Sequence, residues 1–119
     1  MDHLSLGKLG ERFAEAILKK EGYSILARNA RTPRGEIDIV AQDRDTVCFI
    51  EVKARRTDSF GTPEEAVTPH KRAKIRSAAR AFLAQFSKEP LSCRFDVVAL
   101  TINGKGELVE SRIIKDAFT

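Results

Sequence analysis

The stretch Gly35–Lys53, GEIDIVAQDRDTVCFIEVK, constrains the fold of this chain more than any other. Ile37–Ala41 and Val47–Val52 are compact, apolar, β-branched runs, and the polar Gln42–Thr46 between them reads as a turn, so two short strands are expected. The charges fall in an unusual place. Asp38 interrupts the first run, and Glu51 and Lys53 interrupt the second, although a strand buried on both faces should be almost continuously hydrophobic. Side chains alternate along a strand, so Glu51 and Lys53 share a face with Val47 and Phe49, and Asp38 shares one with Glu36 and Val40. An antiparallel hairpin would bring two carboxylates and an ammonium together at one end of a sheet.

Desolvated charge costs several kcal/mol unless it is paired or holds a metal. Two readings of the cluster follow. In the first, Lys53 neutralises Glu51 or Asp38 as a salt bridge at the sheet edge. In the second, the two carboxylates supply the hard oxygen ligands that Mg²⁺ prefers, and Lys53 stabilises charge developing on a phosphate.

The chain has 119 residues, enough for one domain, 1–119, with a real core and no second one. No apolar run approaches the roughly 18 residues of a membrane span, and MDHLSLGKLGE has neither the basic nor the apolar region of a signal peptide, so no membrane association and a cytoplasmic address are expected. Cys48 and Cys93 lack metal-ligand spacing and read as reduced packing residues. The net charge of +4 is modest but unevenly spread: seven Lys or Arg lie between His70 and Arg94 against the single acid Glu89. Such asymmetry suits a polyanion, and it also suits a solvated helix face.

Leu6–Glu21 reads as an amphipathic helix, capped by Ser5 and stopped at Gly22, with Leu6, Leu9, Phe13, Ala14, Ile17 and Leu18 on one arc. Glu11 falls at the edge of that arc, where a surface pairing with Lys8 or Lys19 is the plainer role. Tyr23–Arg28 is a short strand. Asn29–Gly35 has the Asn, Pro and Gly of an exposed loop and, with Arg28, carries Arg31 and Arg34 toward the hairpin. Ala54–Pro63 reads as a polar connection long enough for a mobile flap, and Glu64–Val67 as a helical turn. A second helix is expected from the Thr68–Pro69 cap to about Phe86, with Ile75, Ala78, Ala79, Phe82, Leu83 and Phe86 facing the core. Its first half holds Lys71, Arg72 and Lys74 beside the positive end of the helix dipole, which favours an anion. Glu89–Ser92 reads as a loop. Arg94–Ile102 and Glu107–Ile114 read as strands around NGKG, with Asn103–Gly104 suited to a type I′ turn. Asp96 is expected to be a structural partner of Arg94 or of a base on the second helix.

The order αβββαββ, with Asp38 followed thirteen residues later by Glu51-Val52-Lys53, resembles the PD-(D/E)xK core shared by restriction endonucleases and archaeal Holliday junction resolvases. Nearly the whole chain is similar to the bacterial YraN-like proteins: GKLGERFAEAIL, RNARTPRGEIDIVAQD, FIEVKARR, FGTPEEAVTPHKRAKI and RFDVV stand in that family's order. Ala30 departs from it, since an aromatic residue is expected there. The resemblance implies an α/β, restriction-endonuclease-like fold with a mixed sheet flanked by helices. It also implies a role in nucleic-acid metabolism.

Carried over residue by residue, Asp38 and Glu51 correspond to the metal carboxylates, Lys53 to the motif lysine and Glu11 to the first-helix acid of resolvase-like members. The implied chemistry is phosphodiester hydrolysis, with Mg²⁺ or Mn²⁺ on Asp38, Glu51 and the Val52 carbonyl, and Glu11 completing the set or holding a second ion. Glu36, two residues before Asp38, is a reserve candidate whose plainer role is a pairing with Arg34 or Lys53. Arg28, Arg31, Arg34, Lys71, Arg72 and Lys74 would hold a nucleic-acid backbone, DNA by preference, without reading bases. Whether cleavage requires a homodimer stays open, and the rival reading is a binding or interaction module that keeps the fold without turnover.

Overall fold

In the computed structural model, which describes residues 4–57, 67–86 and 92–119, the apolar arc near the N-terminus forms helix α1, Leu6–Lys20. Ser5 caps it, its hydroxyl accepting from the Lys8 N–H at 3.2 Å. The helix stops where Gly22 turns left-handed (φ 94°), which lets the Tyr23 N–H reach back to the Leu18 carbonyl at 2.9 Å. Then come β1 (Ser24–Thr32), β2 (Gly35–Asp43), β3 (Thr46–Arg56), α2 (Pro69–Phe86), β4 (Ser92–Ile102) and β5 (Leu108–Phe118). Thr68 caps α2 through its hydroxyl, which accepts from the Lys71 N–H at 3.3 Å, with Pro69 as the first helical residue.

The strands form one mixed sheet in the order β1-β2-β3-β4-β5. All neighbours are antiparallel except β3 and β4, whose parallel pairing spans the crossover that contains α2. Alternation along the strands sorts the core onto two faces. Cys48, Ile50, Ile39, Val98 and Leu100 pack with Ala14 and Leu18 of α1, while Val47, Phe49 and Val40 pack with Ala78 and Ala79 of α2. Phe49 is fully buried, with Phe82 edge-on at 5.9 Å and Phe95 at 5.8 Å. Each such side chain stabilises the fold by about 2 kcal/mol. α1 lies close on β3 because residue 10 is glycine: a Cβ there would meet the Ala54 Cβ at 2.6 Å.

Several expectations need correction. The expected loop at Asn29–Gly35 is mostly strand, since Ala30, Arg31 and Thr32 pair with Ile37, Glu36 and Gly35 and leave only Pro33 and Arg34 in the turn. Pairing with β2 supplies the backbone bonds that turn-prone residues would otherwise seek locally. Asn29 fits by taking a left-handed φ of 47°. The start of the expected polar connection, Ala54–Arg56, continues β3 along β4. The NGKG turn is not type I′, because Gly106 (φ 80°), and not Gly104, is left-handed, and Asn103 sits at the first turn position. Its carbonyl accepts from Gly106 N–H at 3.0 Å, and its side-chain oxygen accepts from the N–H groups of Lys105 and Glu107. Cys93 is exposed, so only Cys48 is a packing thiol. Thr57 is a turn residue after β3, and the expected flap from residue 58 on, the start of the Glu64–Val67 turn and most of the Glu89–Ser92 loop lie outside the described residues.

Candidate functional site

The β2–β3 ladder runs from Asp43↔Thr46 to Ile39↔Ile50, and there the regular pairing ends. The next cross-strand positions are Asp38 and Glu51, which the register sets opposite one another. In place of a ladder bond, the Asp38 carboxylate accepts from the Val52 N–H at 2.9 Å. A residue's N–H and C=O leave a strand on the same edge, so the Val52 carbonyl also belongs to this fork. The alternation of β2 breaks here too: Ile37 packs on the α2 face with Val40, whereas Ile39 and Ala41 pack on the α1 face. Asp38 therefore stands between the two faces.

Among the described residues that N–H is the one hydrogen bond to Asp38, and no ion pair reaches it. Burial, then the neighbouring Glu51 charge and to a lesser degree Glu11, push its carboxyl up to about 6 against the help of the Val52 N–H and of Lys71. Glu51 is buried and holds both local cations: Lys71 Nζ lies 2.5 Å and Lys53 Nζ 3.6 Å from Glu51 Oε1. Burial and then Lys71 hold the Lys53 ammonium below its ordinary value. Burial is the largest single influence on Lys71 and opposes its charge, but the hydrogen bond to Glu51, the contact with Lys53 and the charges of Glu51 and Asp38 together outweigh it and place Lys71 above its ordinary value.

On the α1 side, Lys8, Glu11, Arg12 and Glu15 line an open cleft of about 390 Å³ with Arg28, Asn29, Asp38 and Ile39. Glu11 thus shares a cleft with Asp38, while Glu51 is held with the lysines on the α2 side. Among the described residues no three of His, Cys, Asp and Glu converge as a ligand group. Arg28 makes a two-point pair with Glu15, one bond of 2.8 Å from Nε and a second from Nη2, and this lowers the Glu15 carboxyl to about 2.

The remaining expected residues scatter. Glu36 is exposed and opposite Arg31, which is exposed as well, so Glu36 stands outside the lysine cluster. Arg34 is in the β1–β2 turn and borders a groove of about 460 Å³ with Arg80 of α2. Lys74 is exposed, and its carbonyl packs near Gly35, at the start of β2. Arg72 turns away: its Nε donates to the Val67 carbonyl at 2.8 Å and its guanidinium lies 5.5 Å from the Phe118 ring centre.

Lys8 and Arg12 were not expected at the cleft, nor was Glu51 expected as the partner of Lys71. Lys71 was expected on a phosphate track, and its contact with Glu51 crosses between elements, so no local pattern announces it. Lys8 and Arg12 do leave a signal. Positions 8, 11, 12 and 15 form one i, i+3, i+4, i+7 stripe beside the apolar arc of α1, a polar stripe that borders the core.

Fold and site together define a mixed α/β protein whose five-stranded sheet opens at a fork carrying a carboxylate pair and two lysines. A model of the uncharacterised protein family UPF0102 matches residues 10–100, and the chain belongs to that family. It is 48% identical over 112 residues to a UPF0102 protein of Desulfosudis oleivorans, covering 94% of this chain and 88% of the relative. A UPF0102 protein of Syntrophus aciditrophicus is 45% identical over 116 residues (98% of this chain, 90% of the relative), and one of Prosthecochloris aestuarii 50% over 117 (95% and 92%). The matched span contains Glu11, Asp38, Glu51, Lys53 and Lys71. Among the described residues, no helix is long and apolar enough to cross a membrane.

Proposed function

We propose that this chain is a divalent-metal-dependent phosphodiesterase with a restriction-endonuclease-like core, acting on nucleic acid, with DNA, branched DNA included, as the first substrate class to test. The observation that carries this reading is the opposition of Asp38 and Glu51 at the fork, with Asp38 lifted to about 6 by burial and like charge. Such a pair suits a divalent cation by the chemistry of its donors, since hard carboxylate oxygens that repel each other are relieved by a shared positive ion. Asp38, Glu51 and the Val52 carbonyl would hold Mg²⁺ or Mn²⁺, with Glu11 at the margin. When bound, such an ion polarises a phosphate oxygen and lowers the pKa of a water.

The chain's own residues do the rest. Lys53, two positions along the same strand face from Glu51, puts a partly desolvated ammonium where charge builds up on the phosphate in the transition state. Asp38, in the deprotonated form, accepts the Val52 N–H and so holds the mouth of the fork in shape. Lys74 and the Arg31–Arg34 turn offer exposed positive charge near the start of β2, suited to a phosphate backbone.

A second reading is supported by the lysines themselves. Lys53 and Lys71 neutralise Glu51 with no metal, as a binding module that retained the fold without turnover would require. The two separate in a cleavage assay on linear and branched DNA and RNA with Mg²⁺ or Mn²⁺, alongside calorimetry of the metals. The nuclease reading expects Lys53→Ala to cut turnover by about 100-fold or more while metal and nucleic-acid affinity hold. Because Lys71 still faces Glu51, that variant should fold normally. Asp38→Asn should lose both metal and turnover. Wild-type protein that binds nucleic acid, cleaves nothing on the panel and gives no heat with either metal leaves the binding module.

A further inference from the structure

We propose that Lys71 is a built-in counter-ion of the site: its ammonium holds Glu51 in the metal-free chain and is displaced toward solvent when a divalent cation takes the carboxylate. The inference rests on the metal-site reading above and adds to it the identity of the group that the metal must compete with.

The geometry distinguishes the two lysines at Glu51. Lys71 makes the closer contact, 2.5 Å against 3.6 Å, yet it is the more exposed, with 42% of its side-chain surface accessible against 24% for Lys53. Lys53 is fixed to the same strand as Glu51 and cannot leave with its backbone. Lys71 reaches across from α2 on a flexible four-carbon stem, so rotation about its own side-chain bonds is enough to release Glu51.

The platform beneath that stem is rigid. Val67 is buried in a cluster with Ile75, Val97 and Phe118, the Arg72 guanidinium ties back to the Val67 carbonyl at 2.8 Å, and Thr68 caps the helix turn that carries Lys71. The anchor therefore stays in place while the ammonium moves. A compact monovalent charge at a carboxylate that faces a second carboxylate occupies the place where a divalent ion binds better, because the ion interacts with both acids at once. Lys71 keeps buried Glu51 paired until then, which avoids the cost of a stranded charge.

Two measurements on the full chain test this. Mn²⁺ titration by calorimetry should give about 5-fold tighter binding to Lys71→Met than to wild type, the factor that an ion pair with one exposed partner supplies. In wild-type protein, amine-acylation mass spectrometry should show Lys71 labelling rise on adding Mn²⁺, with exposed Lys74 as the unchanged internal control. The labelling needs no variant, so it holds even where Lys71→Met fails to fold. Mn²⁺ binding that is equal or weaker in the variant, with Lys71 as protected as before, overturns the counter-ion role and leaves the metal site standing. No Mn²⁺ binding by either protein overturns both.

Discussion

Two of the acids set into apolar strands of this sheet, Asp96 and Asp38, have surroundings that are opposite in kind. Asp96 on β4 is fully buried and surrounded by donors: Arg94 Nε at 2.8 Å and Nη2 at 3.0 Å, the Tyr23 hydroxyl at 3.0 Å and the Asp116 N–H at 2.9 Å. Arg94 goes on to bridge Asp43 at 3.0 Å, so the network ties β4, β2 and the segment after α1 together. Burial and the Asp96 charge raise the Tyr23 hydroxyl well above its ordinary value, which keeps it a donor. Among the described residues Asp38 on β2 has a single N–H and lies opposite a second carboxylate, Glu51, with which both nearby lysines pair. A buried acid that serves structure collects its donors from several elements. One left short of them stores a cost that another positive group can relieve.

That contrast can be broken from either side. The largest expected effect is at Arg94. Arg94→Met removes two donors and the counter-charge from a carboxylate with no access to water, and should destabilise the chain by about 3–5 kcal/mol in urea unfolding. A loss under about 1 kcal/mol would mean that Asp96 does not depend on the network.

Asp38→Asn should go the other way. The folded chain holds the Asp38 proton more tightly (about 6) than the unfolded chain does (3.8). The stabilisation it brings is therefore complete below the lower value and lost as the pH rises through the higher one. The amide keeps an acceptor for the Val52 N–H without the charge, so at pH 8 the variant should be more stable than wild type by about 3 kcal/mol, the gap closing as the pH falls toward 4. Melting curves across that range check it, and a variant that is less stable at pH 8 would sink the claim that Asp38 is held at a cost. The smallest effect sharpens the comparison. Tyr23→Phe removes one donor from Asp96 and leaves the arginine, so a loss of about 1 kcal/mol in the same urea experiment is expected.

How far the site was legible in the chain can be followed residue by residue. The Ser5, Gly22 and Thr68–Pro69 helix boundaries stand where capping chemistry put them, because each depends on atoms within a few residues. The partnership of Arg94 and Asp96, two apart on one strand, was within reach for the same reason, whereas Tyr23 in that network lies 73 residues away and was not. The left-handed residue at the last turn was misplaced by two positions, from Gly104 to Gly106, since two hairpin types share the same composition and only the strand register selects between them.

By itself, then, the sequence placed Asp38 on one strand and Glu51 and Lys53 on the next, so that antiparallel pairing would bring the three to one end of a sheet; the register that opposes Asp38 to Glu51 came with the tertiary structure. It also determined the apolar stripes of both helices, through a period carried by near neighbours along the chain, except at Phe86, which was expected in the core and is exposed at the end of α2, where it stacks on Phe82 beyond the reach of the sheet. Tertiary structure alone decided the opening of the β2–β3 ladder at Ile39↔Ile50, the place of Asp38 between the two faces, and the division of the bases of α2, with Lys71 to Glu51 and Arg72 to Phe118. Those outcomes depend on how α2 docks as a whole on the sheet. Many small packing contacts, summed over residues distant in the chain, set that placement, and no short stretch of the sequence contains the sum.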